Sequence, residues 1–181
     1  MLKQRKKQKR YSIMHAAMEL EKEMPELPDK EVYKFISDGH FSSISFVKYL
    51  SKRTVINELY ASSFRIGRKE LQLLDGLHKS GQIKKCHFAV GTLMANDSLS
   101  VKRYRYYDNF KDVCDKNDWE YITTNNHSKI ILFDTDIGKF VLETSSNLNE
   151  NPKIEQFSFE KDSELFEFYK AAFHHWSDAD G

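Results

Sequence analysis

The residues whose types and spacing can do chemistry fall in one stretch of the chain, 127–155. His127 and Lys129 stand two apart, and Asp134 follows five positions later. Ser145 and Asn147 again stand two apart, and Glu155 closes the stretch. An imidazole attacks an electrophile or exchanges protons near neutral pH, while a fixed ammonium with amide and hydroxyl partners neutralises oxygen anions. Such a set suits a phosphoryl group. His127 would react at phosphorus or move a proton there, and Lys129 and Asn147 would hold its non-bridging oxygens.

These side chains serve one site only if the fold brings them together. The run from His127 to Phe133 reads as a strand, with alternation and β-branched residues bounded by polar ones. Strand side chains repeat every two residues, so His127, Lys129, Ile131 and Phe133 share one face, and Ser128, Ile130 and Leu132 the other. Asp134 to Gly138 reads as a hairpin turn, and Lys139 to Asn147 as the return strand. An antiparallel hairpin lays the end of the second strand beside the start of the first. Ser145 and Asn147 are therefore expected next to His127 and Lys129.

The order His-x-Lys-x4-Asp, then Ser-x-Asn, then an acid, resembles the signature of the phospholipase D superfamily in its single-motif, bacterial nuclease-like branch. His127, Lys129 and Asp134 fill the first block, Ser145 and Asn147 the second, and Glu155 resembles the acid that steadies the catalytic histidine. A chance match to the first block in a chain of this length has odds of about 1%. Ten residues separate Asp134 from Ser145, where the family usually has six and a glycine, and Thr144 stands at the glycine's place. A longer hairpin accounts for the difference.

The resemblance implies an α/β fold, a phospholipase D-like mixed β-sheet flanked by helices, with one motif copy per chain. It implies metal-independent phosphodiester cleavage through a phosphohistidine on His127, with no metal and no cofactor. A second histidine must protonate the leaving oxygen, so a single-motif chain is expected to form a homodimer with a shared site. Two identical histidines at close range titrate as a coupled pair. Lys129 and Asn147 would bind the phosphoryl oxygens, Glu155 would orient His127, Ser145 would line the site, and Asp134 would be structural or support the catalytic groups from behind. The expected activity is a nuclease on DNA or RNA. The alternatives are a non-catalytic nucleic-acid-binding module that keeps the phosphate cradle, and a phospholipid phosphodiesterase.

Composition sets the outer bounds. The chain has 181 residues, 40% hydrophobic and 30% charged, which suits a packed core and excludes global disorder. A net charge of +1 leaves recognition of an anionic partner to local patches. One such patch is Lys102, Arg103 and Arg105, interleaved with tyrosines, where cations meet phosphates and rings stack on bases; the same segment also reads as the start of a helix with Tyr106, Phe110, Val113 and Cys114 packed inward. Another is the basic N-terminus, so residues 1–35 read as a basic arm and short helix outside the core, and residues 36–181 as the main domain. The sequence has no apolar run long enough to span a membrane. No apolar segment follows the basic start, and Cys86 and Cys114 are far apart, so a reduced, cytoplasmic protein is expected.

The remaining elements frame the motif. Ile44–Leu50 and Val55–Ile66 read as strands, 68–78 as a helix with Leu71, Leu74 and Leu77 in register, and Lys85–Gly91 as a strand. Strand, helix, strand at this spacing predicts a parallel βαβ unit. Trp119 to Asn125 and Gln156 to Phe159 read as further strands, and Ser163–Trp176 as an amphipathic helix. His78 and His87 read as structural, and His174 and His175 point apart on a helix, so no metal site is expected.

Overall fold

A computed structural model describes residues 7–14, 20–39, 41–92, 106–149 and 152–179. Eight strands form one mixed sheet: β1 (Gln8–Met14), β2 (Glu31–Ser37), β3 (Ile56–Ser63), β4 (Ile83–Gly91), β5 (Glu120–Thr124), β6 (Ile130–Thr135), β7 (Gly138–Thr144) and β8 (Glu155–Lys161), in the order β1-β2-β8-β7-β6-β3-β4-β5. β1–β2 and β3–β4–β5 pair parallel, and the strands between them pair antiparallel. The helices are α1 (Leu20–Glu23), α2 (Ile44–Ser51), α3 (Arg68–Lys79), α4 (Tyr106–Lys116) and α5 (Ser163–Ala179).

Both sheet faces are covered over the central strands, so those strands are apolar at consecutive positions instead of alternating. Leu59, Ile131, Phe133, Leu142, Phe157 and Phe159 join the larger core with residues of α1 to α4. Tyr60, Ala89, Leu132 and Val141 point the other way, onto Phe166 and Phe173 of α5. The turn between β6 and β7 has only two residues, Asp136 and Ile137. The added length between Asp134 and Ser145 therefore lies in the strands. Gly138 follows with φ +138°, where a side chain would be strained and would strike Lys161.

Two sequence expectations change. Residues 8–14 and 20–37 are not an arm outside the core: β1 pairs with β2 along its length, and Met14, Leu20, Met24, Tyr33 and Phe35 are buried in the main core. Lysines suit an exposed edge strand as well as a solvated arm, which hid the alternation of Lys9, Tyr11 and Ile13. Lys7 is fixed to Glu160 at 2.7 Å and Asp162 at 2.5 Å. Ile44–Ser51 is a helix, not a strand. A short continuous apolar run does not distinguish the two, and here packing decides, because Phe46 stacks among Phe35, Phe41, Phe157 and Phe159.

His78 and His87 hold the frame. His78 Nδ1 lies 3.1 Å from the Ile83 carbonyl, and His87 stacks on Tyr60 at 4.2 Å with Nδ1 3.0 Å from Glu120. Another frame contact joins α3 to the end of α4: Asp75 accepts bonds from Lys79 (2.6 Å), Asn117 (2.8 Å) and Lys116 (3.3 Å). Lys79 first, then Asn117 and Lys116, hold the Asp75 carboxyl down at about 2. An unfolded aspartate titrates near about 4. The folded value is the lower one, so this contribution to stability is complete above about pH 4 and is lost as pH falls towards 2. The acid limb of melting temperature against pH should be shallower over that interval in Asp75→Asn than in wild type.

Candidate active site

Parallel strands β3, β4 and β5 end at Ser63, Gly91 and Thr124, on the side of the sheet where β6 begins and β7 ends. Loops leaving such strand ends are the usual place for a site in α/β proteins. His127 and Lys129 lie in the connection just before β6, which starts at Ile130 and not at His127. The hairpin register still reaches them: Ile130 pairs with Glu143, and the Thr144 amide donates to the Lys129 carbonyl at 3.1 Å. Lys129 is thus across from Thr144 and beside Ser145.

The connection is shaped by Asn126, which the sequence reading passed over. Its side-chain NH2 donates to the Ala89 carbonyl (3.0 Å) and the Ser62 hydroxyl (2.9 Å). Its amide oxygen accepts from the Ser128 amide (2.8 Å) and hydroxyl (2.7 Å). One side chain therefore ties β3, β4 and the approach to β6, with both donors and its oxygen in use. Gly91 allows it: a Cβ there would sit 2.8 Å from Phe64 Cδ2 and 3.2 Å from the Asn126 carbonyl. Phe64 in turn lies against the His127 ring, with centroids 5.6 Å apart. The available signal was the Asn125–Asn126 pair ahead of a strand, since Asn side chains commonly bond the backbone two residues on. Asn126→Ala should lower stability by roughly 2 kcal/mol. It should lower kcat by about 10²-fold, with KM little changed, because misplacing a reacting group costs that much. Melting and steady-state kinetics would check both.

His127 is exposed and Lys129 half-buried. The Lys129 ammonium stands 3.2 Å from His127 Nδ1 and donates to the His127 carbonyl at 2.6 Å. Burial lowers the pKa of Lys129, and the charge of Glu155 acts in the opposite sense. Glu155 itself is buried, 8% exposed, at the start of β8. Its carboxylate accepts a short hydrogen bond from Ser145, whose oxygen also takes the Gln156 amide at 3.0 Å. Ser145 is thereby fastened to β8. Thr144, at the family's glycine position, bridges the same turn by donating to the Gln156 carbonyl (2.9 Å) and accepting the Ser146 amide (2.9 Å).

Asn147 follows on the loop that docks against the β3–α3 connection, where Leu148 donates to Ser63 (2.9 Å) and accepts from Gly67 (2.8 Å). Its main-chain carbonyl accepts from Ser43 at 3.4 Å, and its side-chain oxygen is buried without a hydrogen-bond partner. Asp134 is not part of this cluster. It lies near the far end of β6, paired in register with Lys139 and Glu58, roughly 20 Å along the strand from His127. Lys102, Arg103 and Arg105 lie outside the described residues. Among the described residues no cluster of three potential metal-ligating side chains forms, and no helix is long and apolar enough to cross a membrane.

The geometry thus sets an imidazole and an ammonium together at an accessible strand end, with a buried carboxylate nearby and an amide side chain on the adjoining loop. An ammonium half-withdrawn from water interacts with an anion more strongly than one in bulk solvent.

No family model matches the sequence, and no curated protein matches it. Solved structures do. The chain is similar to a polyphosphate kinase from Porphyromonas gingivalis, with TM-score 0.62 and 10% identity over 81% of this chain and 26% of that one. It is similar to TrmBL2, an archaeal chromatin protein described as showing a novel mode of DNA binding, with TM-score 0.50 and 14% identity over 81% and 52%. It is also similar to a phosphatidylserine synthase from Haemophilus influenzae, with TM-score 0.47 and 18% identity over 72% and 34%. The chain spans about a quarter of the first of these and about half of the second. The fold is α/β of the phospholipase D-like type.

Proposed function

We propose that this chain is a metal-independent phosphodiesterase acting on DNA or RNA, through a phosphohistidine on His127, in a site shared by two copies. The observation that carries the reading is the placement of the Lys129 ammonium 3.2 Å from the His127 ring at an exposed strand end. A phosphate drawn to Lys129 arrives within reach of that imidazole. The unprotonated ring nitrogen attacks phosphorus, the P–O bond to the leaving group breaks, and the partner's His127 gives that oxygen its proton. Water then attacks the phosphohistidine, the P–N bond breaks, and the partner's His127 takes the proton back. Lys129 and Asn147 hold the non-bridging oxygens through both steps. Glu155, held by the hydrogen bond from Ser145, sets a negative charge near the cation that acts against the lowering of its pKa by burial. Asp134 has a structural role in the hairpin.

Nucleic acid is the substrate the charges favour: Lys102, Arg103 and Arg105 lie among tyrosines, and Lys9 and Arg10 are exposed on β1. One observation favours a second reading, a non-catalytic nucleic-acid-binding module. The same fold occurs in a chromatin protein described as binding DNA.

Labelled single- and double-stranded DNA and RNA, incubated in EDTA with wild type and with His127→Ala, test the choice. Cleavage by wild type alone is the expected result. Salt-sensitive binding without cleavage by both proteins would move the assignment to the binding module, and neither cleavage nor binding would overturn the nucleic-acid reading and turn attention to phospholipids.

A further inference from the structure

Helix α5 covers only part of its face of the sheet. It packs over Tyr60, Ala89, Leu132 and Val141, on β3, β4, β6 and β7. The same face continues across β8, β2 and β1 as a groove of about 980 Å³. Strand pairing sets its floor. One row of facing positions runs Tyr11, Lys34, Ser158, Glu143 and Ile130, crossing from β1 to β6. The next row on this face runs Ile13, Ile36 and Gln156, and Ser145 accepts the Gln156 amide at its end. Four strand spacings make the first row roughly 19 Å long, and Lys129 lines the groove where that row ends. The groove thus runs from β1, the edge strand among the described residues, to the His127 cluster.

Two chemistries share that floor. Tyr11 is 73% exposed, Ile13 66% and Ile36 52%, and apolar groups this exposed on adjoining strands mark an interaction surface. Lys9, Lys34 and Lys129 stand among them. Lys34 is fixed in mid-floor by donating to Ser158 at 2.6 Å. Among the described residues the lining has one carboxylate, Glu143, and it accepts the Tyr169 hydroxyl of α5. An unpaired nucleic-acid strand matches both chemistries, because its base faces lie on apolar side chains while its phosphates meet ammonium groups. A duplex keeps its base faces stacked inside, so it can meet the lysines but not the Tyr11 ring. Open sheet faces that carry aromatic rings bind single-stranded RNA in this way, stacking two or three bases. An acyl chain would use the isoleucines, but it would leave lysines spread along the floor without a phosphate.

We propose that this groove holds a single strand of DNA or RNA running from β1 to Lys129. One base stacks on Tyr11, and phosphates meet Lys9 and Lys34. The proposal rests on the nucleic-acid reading above and narrows it from any nucleic acid to the unpaired strand. It also gives the N-terminal strand a task beyond completing the sheet: β1 carries the ring and the cation that receive the strand farthest from the site.

Fluorescence anisotropy of labelled single-stranded oligonucleotides and of their duplexes, in EDTA, tests the assignment. Every sample is the full chain carrying His127→Ala, so binding is read without cleavage, and each further variant is checked for native circular dichroism. This background should bind the single strand more tightly than the duplex. Tyr11→Ala should weaken single-strand binding about tenfold, the effect of one lost stacking contact, and leave duplex binding as it is. Lys34→Ala should flatten the slope of log Kd against log salt for the single strand by about 0.7, the share of one phosphate. Lys84→Ala, at an exposed position of β4 outside the groove, should change neither. Equal single-strand affinity with and without the Tyr11 ring overturns the groove assignment, and so does tighter binding to the duplex. Tyr11→Ala that weakens binding to anionic phospholipid vesicles but not to the single strand would give the groove to lipid and overturn it as well. Single-strand binding that depends on Tyr11, in a protein whose wild type cleaves nothing, would overturn the phosphodiesterase reading and leave the groove standing.

Discussion

Alanine at position 127 should reduce metal-free cleavage by at least about 10⁴-fold while leaving the fold intact. The two halves of the expectation have separate grounds. His127 is exposed, and among the described residues its ring meets the Lys129 ammonium and, at a tilt, the ring of Phe64. Surface truncations of that kind change stability by no more than about 0.5 kcal/mol. The chemistry has no such margin. Without the imidazole the cluster keeps no group for the phosphohistidine route, since the Ser145 hydroxyl is engaged as a hydrogen-bond donor to Glu155. In the proposed shared site the loss would be steeper, because each substitution would remove both the nucleophile of one half and the acid of the other. Lys129→Ala should cost less, about 10²- to 10³-fold in kcat, as expected for one lost charge-stabilising contact. Single-turnover cleavage in EDTA, with melting curves on the same preparations, measures all of these. Near-wild-type cleavage by His127→Ala would sink the phosphohistidine mechanism.

How much of this site was legible from sequence depends on how each residue acts. His127 and Lys129 were visible because their side-chain chemistry is specific and their spacing is local. The hairpin was visible because β6 and β7 flank a short polar turn. Asp134 was grouped with the site through the motif, whereas in the structure it lies several steps along β6, opposite Lys139 and Glu58. Asn126 and Gly91 were not visible. They act through bonds and clearances between segments far apart in the chain, and nothing local to Asn126 announces the Ala89 carbonyl it will meet. The link from Ser145 to Glu155 joins strands β7 and β8 only once the sheet exists. Glu155 itself was found through the motif, but its burial could not be read from a polar neighbourhood. The N-terminal misreading has the opposite cause. Lys9 and Arg10 carry strong local signals for solvent exposure, which are correct, yet an edge strand satisfies them as fully as a disordered arm does.

The largest effect on stability should come from Phe159→Ala, at roughly 3–5 kcal/mol. Phe159 is completely buried in β8, the strand that joins the N-terminal pair β1–β2 to the hairpin. Its ring stacks on Phe140 at 5.8 Å and 7°, lies 5.2 Å from Phe46 of α2, and meets Phe133 edge-on at 6.1 Å. Removing it leaves a cavity between a helix and three strands whose backbones are fixed by sheet pairing and cannot close in, which is the condition for the upper end of the range. Against a typical total of about 5–15 kcal/mol, the loss would bring the domain close to unfolding at physiological temperature. The same substitution leaves every residue of the His127 cluster in place. Cleavage per folded molecule, measured at low temperature, should therefore stay at the wild-type level while the denaturant midpoint falls. Ile154→Ala, at a position 73% exposed, is the matched comparison and should shift stability by no more than about 0.5 kcal/mol. Equal shifts in the two variants would mean that the aromatic cluster around Phe159 is not what holds the sheet to α2.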